Sequence, residues 1–450
     1  MGKSKRKGPD YVSFGKIVAW GTRPIALGAI TIFTMYLSMY CTDILKMPAA
    51  LVGSLLMASK IFDGVTDLFA GWLVDNTKTR FGKGRPYELA LIPAWICTYA
   101  MFAASDEWSL VFKSVWLFIM YTLVFTVFST LLNAAETTYI IRAFKTQNAV
   151  VKISSFSGVI VTVGSMVVSI SLPMLIGAMG TSAAGWRKMM AIYAIPLVLV
   201  GLIRFFFVKE EVDVDTATSQ DEKVTVKEIL QVAKTNKYIW LMGIVCMVPI
   251  LLTSLSVNSY YFTWIIGDIS LLSSLQALTI ISLLFILFFP VLMKKFSAMQ
   301  IIGFTAVMAM VGYIMFFFAG NNLTLIIIGS LLAGFVSLPT SYMKSPIIMQ
   351  ICDYNEMNGN PRMEATMAAI VNFLNKIGGA LGSFILGIML SIGGYDGKLS
   401  VQPDSAIMMI RVLAGIIPAI FMMIVIICVW AYRPLDKMLE KKQANKTEGA

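Results

Sequence analysis

Apolar residues run in blocks of roughly twenty to thirty, separated by polar stretches, and each block is about as long as an α-helix crossing a hydrocarbon core of some 30 Å. Twelve such blocks predict helices over about 17–41, 49–74, 87–105, 113–138, 153–178, 189–208, 239–266, 271–293, 299–319, 323–351, 364–392 and 405–431. One connection is long and highly charged: residues 209–238, between blocks six and seven. The pattern predicts an all-α membrane protein with two six-helix halves, 1–208 and 239–432, a central loop at 209–238 and a polar tail at 433–450. Within the loop, Val224 to Thr235 has the spacing of a helix lying along a membrane surface.

Composition sharpens this picture. With 58% hydrophobic and 14% charged residues, the chain does not read as a soluble domain. Its formal net charge of +11 would suit nucleic acid, but the basic residues alternate between loops instead of forming one stripe. On one side of the predicted bundle they number twenty-five, on the other only Lys46, Arg187, Lys188 and Lys398. That asymmetry predicts both termini in the cytoplasm, with the short basic N-terminus as a cytoplasmic tail. The five cysteines lie in or at the ends of apolar runs without CxxC spacing, which indicates neither a disulfide framework nor a metal cluster. The chain has no His, and so lacks the commonest neutral-pH proton carrier.

Charge inside the apolar blocks carries the candidate chemistry. Asp63 and Asp67 interrupt the second block at i, i+4 spacing, so both carboxylates share a helical face, with Lys60 one turn earlier. A charge at the bilayer centre costs about 2.5 to 3.5 kcal/mol, so these groups should meet a cation, a proton or a basic partner. The plain alternative is a helix-to-helix salt bridge, but two carboxylates exceed what one bridge needs. Lys376 in block eleven, followed by Gly378, Gly379 and Ala380, is the natural internal counter-ion.

After the second block comes Gly71-x-x-x-Asp75-x-Thr77-x-Thr79-Arg80-x-Gly82-Lys83-x-Arg85-Pro86. This resembles the loop between helices 2 and 3 of major facilitator transporters, in the variant typical of the glycoside-pentoside-hexuronide:cation symporter family. Asp353-Tyr354-x-Glu356 with Arg362 and Glu364, and the Asn375-Lys376-Ile377-Gly378-Gly379-Ala380 run, are similar to later motifs of that family. The resemblance covers most of the chain. It implies a twelve-helix major facilitator fold and a symporter that imports a sugar, glycoside or sugar acid by alternating access, driven by Na⁺ or H⁺. The coupling ion, Na⁺ in one case, is then expected at Asp63 and Asp67, assisted by Thr66 and by Thr126, which lies where the family places a hydroxyl ligand. Asp75, Arg80 and Arg85 in one half, with Asp353, Glu356, Arg362 and Glu364 in the other, are expected to form gating contacts.

Departures from the family pattern bear on the substrate. Where the family offers hydroxyl-binding aspartates, this chain has Thr22, beside Arg23, and Ser129; Asn133 lies about where an aromatic would stack, and Ser154 where an arginine is usual. Arg23 and Lys344 add positive charge, which suits an anionic glycoside, while Tyr342, Asn372 and Asn375 are candidates for polar and stacking contacts. Lys344, read as mid-span in block ten, is either a ligand for an anion or a structural partner for Glu136 near the end of block four.

Other classes compete less well. A membrane enzyme needs a nucleophile and base or a metal set, and no such motif occurs. A carrier of a non-sugar organic anion, a channel, or a non-transporting sensor on the same fold stays open. No resident cofactor is expected. The expected partners are a small-molecule substrate, the coupling cation and membrane lipid, with no nucleic acid and a monomeric state.

Overall fold

The computed structural model describes residues 12–77, 79–144, 147–210, 236–277, 292, 295–359 and 364–448, with only the backbone described at some helical positions. Apart from an isolated bridge between Thr79 and Gly82, the regular structure of these residues is helical. Eight of the described helices are long and apolar enough to span a membrane. The expected block at 271–293 lies largely outside the described residues. The chain divides into two compact units: Met1–Ala217 with Ile269–Gln276 and Asp396–Lys398, and Thr218–Asp268 with Ala277–Tyr395 and Leu399–Ala450.

In the first unit α1 is Phe14–Thr34, α2 Ala49–Asn76 and α3 Leu91–Phe102, the last entered through a 3₁₀ turn at Arg85–Ala90. Helix α4 is continuous in three pieces: Leu110–Thr122, a π-helical segment Leu123–Ser129, and Thr130–Ala143. Helices α5, Gln147–Met179, and α6, Ala183–Phe207, complete it. Ser13, Ser109 and Ser182 cap α1, α4 and α6 by accepting backbone N–H groups that the first turn leaves unpaired. Helix α1 packs against both α5 and α6, and α2 packs against α4. Small residues set these distances: a Cβ on Gly201 of α6 would sit 2.8 Å from the Ala26 methyl of α1, inside van der Waals contact. Ser59 and Thr122 share a 2.7 Å hydrogen bond, a polar fastening between α2 and α4.

In the second unit α7, Lys237–Leu255, lies along α11, Glu364–Ile392. Between them in sequence come α8, Ala298–Ala319, α9, Leu323–Gly334, and α10, Lys344–Met357. The predicted tight packing of the small-residue run is realised: a Cβ on Gly378 would lie 2.7 Å from the Met247 carbonyl oxygen of α7. Two boundaries differ from the sequence reading. Block ten is broken, into α9, a short helix Ser337–Tyr342 and α10, so Lys344 opens a helix instead of lying within a continuous one. Pro339 and Pro346 each lack the N–H a continuous helix would use. The last helix, Ile417–Glu448, continues through the stretch expected to be a separate polar tail.

Candidate functional site

The backbone of α2 is helical through Asp63, Thr66 and Asp67, but those side chains, and those of Asp75, Tyr342 and Glu364, lie outside the described residues, as does Arg362 altogether. Lys60 and Lys376 are half-buried, and neither is without an interaction. Thr126 is buried within the π-helical segment of α4, and Ser129, at the end of that segment, is 8% exposed. An extra residue inserted into a helical turn commonly marks a functional position, because it re-aims the side chains that follow.

Charged side chains in the first unit assemble into two buried groups that no local spacing announces. The first joins Arg23 of α1, Glu88 of the 3₁₀ turn, Glu136 of α4 and Arg204 of α6. Arg204 Nη1 donates to Glu136 Oε2 at 2.8 Å, and Arg23 Nη2 pairs with the same oxygen. Both guanidinium groups also lie 3.7 Å from Glu88 Oε1. Two arginines and two glutamates thus neutralise one another where isolated charges would be costly. The Arg204 guanidinium rests over the Trp20 ring, 3.3 Å from its centroid, which fixes its plane. Trp20 in turn packs on Tyr139 and Phe144, and the Tyr139 hydroxyl donates to the Val208 carbonyl at 2.7 Å.

This arrangement corrects one expectation and closes one of two open alternatives. Arg23, expected to meet an anionic substrate, is 2% exposed and paired within the protein. Glu136 takes its cations from α1 and α6, not from Lys344, whose Nζ donates to Asn372 Oδ1 at 2.5 Å. Thr22, expected to face a ligand, turns its hydroxyl onto the Ala19 carbonyl of its own helix at 2.8 Å. Asn133 is exposed, while Ser129 Oγ and Asn375 Oδ1 are buried without a hydrogen-bond partner among the described residues.

The second buried group holds the loop after α2. Glu210, just beyond α6, accepts backbone N–H groups from Lys83 at 2.9 Å, Gly84 at 3.0 Å and Arg85 at 2.9 Å, and pairs with Arg142 Nε at 2.8 Å. Gly82 has φ +110°, a conformation that favours glycine, and an added Cβ would collide with the Glu210 carboxyl group. Of the expected gating residues, Arg80 is exposed and lies over Phe81, whereas Arg85 donates Nε to the Phe205 carbonyl at 2.9 Å and stacks on the Phe205 ring. In the second unit Asp353 is half-buried and Glu356 exposed, and neither is without an interaction. Asn355 between them accepts a buried 2.7 Å hydrogen bond from Asn236, tying this motif to the start of α7.

A sequence profile described as MFS/sugar transport protein matches residues 24–437. The chain belongs to that family. Among its relatives, the uncharacterized symporter YnaJ of Bacillus subtilis is 26% identical over 92% of this chain and 90% of its own length. The isoprimeverose transporter of Lactiplantibacillus pentosus is 27% identical, covering 82% and 78%. The glucuronide carrier protein homolog of Escherichia coli is 23% identical, covering 96% and 95%. A putative glycoside/cation symporter, YagG of Escherichia coli, is a further relative, so the glycoside:cation symporter kinship read from the loop motifs holds. Solved structures confirm the major facilitator fold. A bacterial homolog of the human lysosomal transporter Spinster superposes with TM-score 0.68 at 16% identity, covering 94% of this chain and 98% of that one. A D-xylose-proton symporter does so with TM-score 0.63 at 13% identity, covering 93% and 96%. This family of multi-pass membrane transporters, unlike an enzyme, needs sites that bind and release without bond chemistry.

Proposed function

We propose that the protein is a Na⁺- or H⁺-coupled symporter that imports a sugar, glycoside or sugar acid by alternating access, with both termini in the cytoplasm. The observation that carries this reading is the pair Asp63 and Asp67, one turn apart in the long helix α2 of a chain that belongs to a sugar-transport family. Two carboxylates so placed cannot both ionise cheaply in a low-dielectric site, so they take up Na⁺, share a proton, or pair with Lys376 as the ion leaves. Thr66 and Thr126 supply neutral oxygens. One positive charge carried inward gains about 2.3 kcal/mol per 100 mV of membrane potential, enough to concentrate a solute about fiftyfold.

Gating falls to the basic loop after α2, with Asp75, Arg80 and Arg85, and to Asp353, Glu356, Arg362 and Glu364, at corresponding edges of the two halves. Lys344 supports a sugar acid among the ligands, since its contact with the neutral Asn372 amide leaves the ammonium charge uncompensated by that bond. Asn372, Asn375 and Tyr342 supply polar and stacking contacts. The protein works as a monomer in lipid, with no nucleic acid and no resident cofactor.

The test is uptake by purified full-length protein in proteoliposomes under an imposed Na⁺ or proton gradient, with radiolabelled isoprimeverose and a methyl glucuronide as probes. Accumulation above the external concentration, abolished by collapsing the gradient, is expected. Equal rates with and without either gradient, and no counterflow, would refute a coupled carrier.

A further inference from the structure

Ser129, Asn133 and Glu136 follow one another along α4 at spacings of four and three residues, on one face of the helix over about 10 Å. Ser129 Oγ is buried and makes no hydrogen bond among the described residues, although a hydroxyl left this way costs about 1 to 3 kcal/mol. Asn133 is exposed. Glu136 is divided between two environments: Oε2 receives both Arg23 and Arg204, whereas Oε1 has no hydrogen-bond partner among the described residues, and the side chain is 31% exposed.

The quartet around Glu136 explains what Oε1 is suited for. Glu88 balances the second guanidinium, so the cluster as a whole is neutral. A further cation gains little from a carboxylate already facing two arginines, and an anion is repelled by the outward lone pairs. A hydroxyl donor fits best, because it completes the empty acceptor without adding charge. The acceptor is also preorganised: Arg204 is clamped between Trp20 and Tyr139, so the carboxylate loses little freedom on binding. The stripe is about as long as one to two sugar rings.

We propose that Glu136 is a substrate-binding residue, its Oε1 accepting hydroxyl groups of a polyhydroxylated ligand whose other hydroxyls reach Asn133 and Ser129. Arg23 and Arg204 are positioning residues that hold the carboxylate and touch no ligand. This inference rests on the sugar-transport reading, and supplies the hydroxyl acceptor left unassigned by Thr22 and Arg23.

The experiment measures binding by titration calorimetry on the full chain in lipid nanodiscs, with isoprimeverose, methyl β-glucuronide and sulfoquinovose as probes. For whichever probe the parent binds, Glu136→Gln is expected to weaken binding tenfold or more, and Asn133→Ala and Ser129→Ala severalfold, with an unchanged thermal midpoint in Asn133→Ala and a raised one in Ser129→Ala, which removes the unpaired hydroxyl. Deoxy analogues of that probe separate contact from scaffold. At least one should lose affinity on the parent and lose nothing further on Glu136→Gln, a coupling a purely structural role does not produce. A folded Glu136→Gln that binds like the parent overturns the proposal. If Glu136→Gln does not fold, parent-like binding by both Asn133→Ala and Ser129→Ala, neither of which touches the arginines, overturns it equally. A parent that binds none of the probes overturns the sugar-transport reading itself.

Discussion

Removing Glu210 is expected to release the loop between α2 and α3. Its carboxylate is fully buried and accepts three backbone N–H groups at 2.9 to 3.0 Å, besides pairing with Arg142. A net hydrogen bond to a charged group is worth about 1.5 to 3 kcal/mol, and removing one partner of a buried pair costs about 3 to 5 kcal/mol. These terms overlap, since the same oxygens serve both, so Glu210→Ala is expected to cost about 3 to 5 kcal/mol in local stability. Glu210→Gln keeps one carbonyl acceptor and should cost roughly half as much. The loss is local to a segment containing Arg80 and Lys83, both trypsin sites, whereas Arg85 precedes Pro86 and resists the protease. Where opening is fast relative to cleavage, limited proteolysis reads the opening equilibrium, and about 3 kcal/mol accelerates cutting there roughly a hundredfold. The assay is timed trypsin digestion in detergent, with fragments assigned by mass spectrometry. Parent-like cleavage of this loop in both variants would refute the idea that Glu210 holds it.

Three further outcomes follow from the same geometry. Gly82→Ala should open the same loop by about 1 to 3 kcal/mol, through positive φ and collision with Glu210, and adding Glu210→Ala should bring less than the summed loss in the same digestion. Asp63→Asn and Asp67→Asn should each abolish ion-dependent accumulation in proteoliposomes; uptake that still follows the gradient in both would remove the pair from the coupling site. Lys344→Gln should weaken binding of a methyl glucuronide at least tenfold while leaving isoprimeverose within about twofold, as competition titration would show.

The sequence announced the helices because a bilayer demands long apolar runs, and α2, α8 and α11 begin and end within a few residues of the predicted bounds. The break ahead of Lys344 was foreshadowed by Pro339 and Pro346, yet an unbroken apolar count concealed it. The charge clusters were illegible for a different reason. Glu136 and Arg204 are sixty-eight residues apart, and Glu210 reaches back more than a hundred to its loop, so no periodicity links them. The available signal was that Arg23, Glu88, Glu136 and Arg204 all lie in or at the edge of apolar blocks, where an unmatched charge is expensive. That predicts that partners exist, but only the packing of α1, α4 and α6 decides which.

The π-helical turn of α4 gives this helix an independent adjustment. Thr126 lies within it, whereas Asn133 and Glu136 lie beyond it, so one surplus residue separates two faces of a single rod. Deleting one residue from Leu123–Ser129 would restore ordinary helical winding and turn everything downstream by about 100° relative to everything upstream. Evolution can therefore re-aim the lower face of α4 by gaining or losing one residue, leaving the packing of its upper half against α2 untouched. A change of ligand in such a chain need not begin with a substitution.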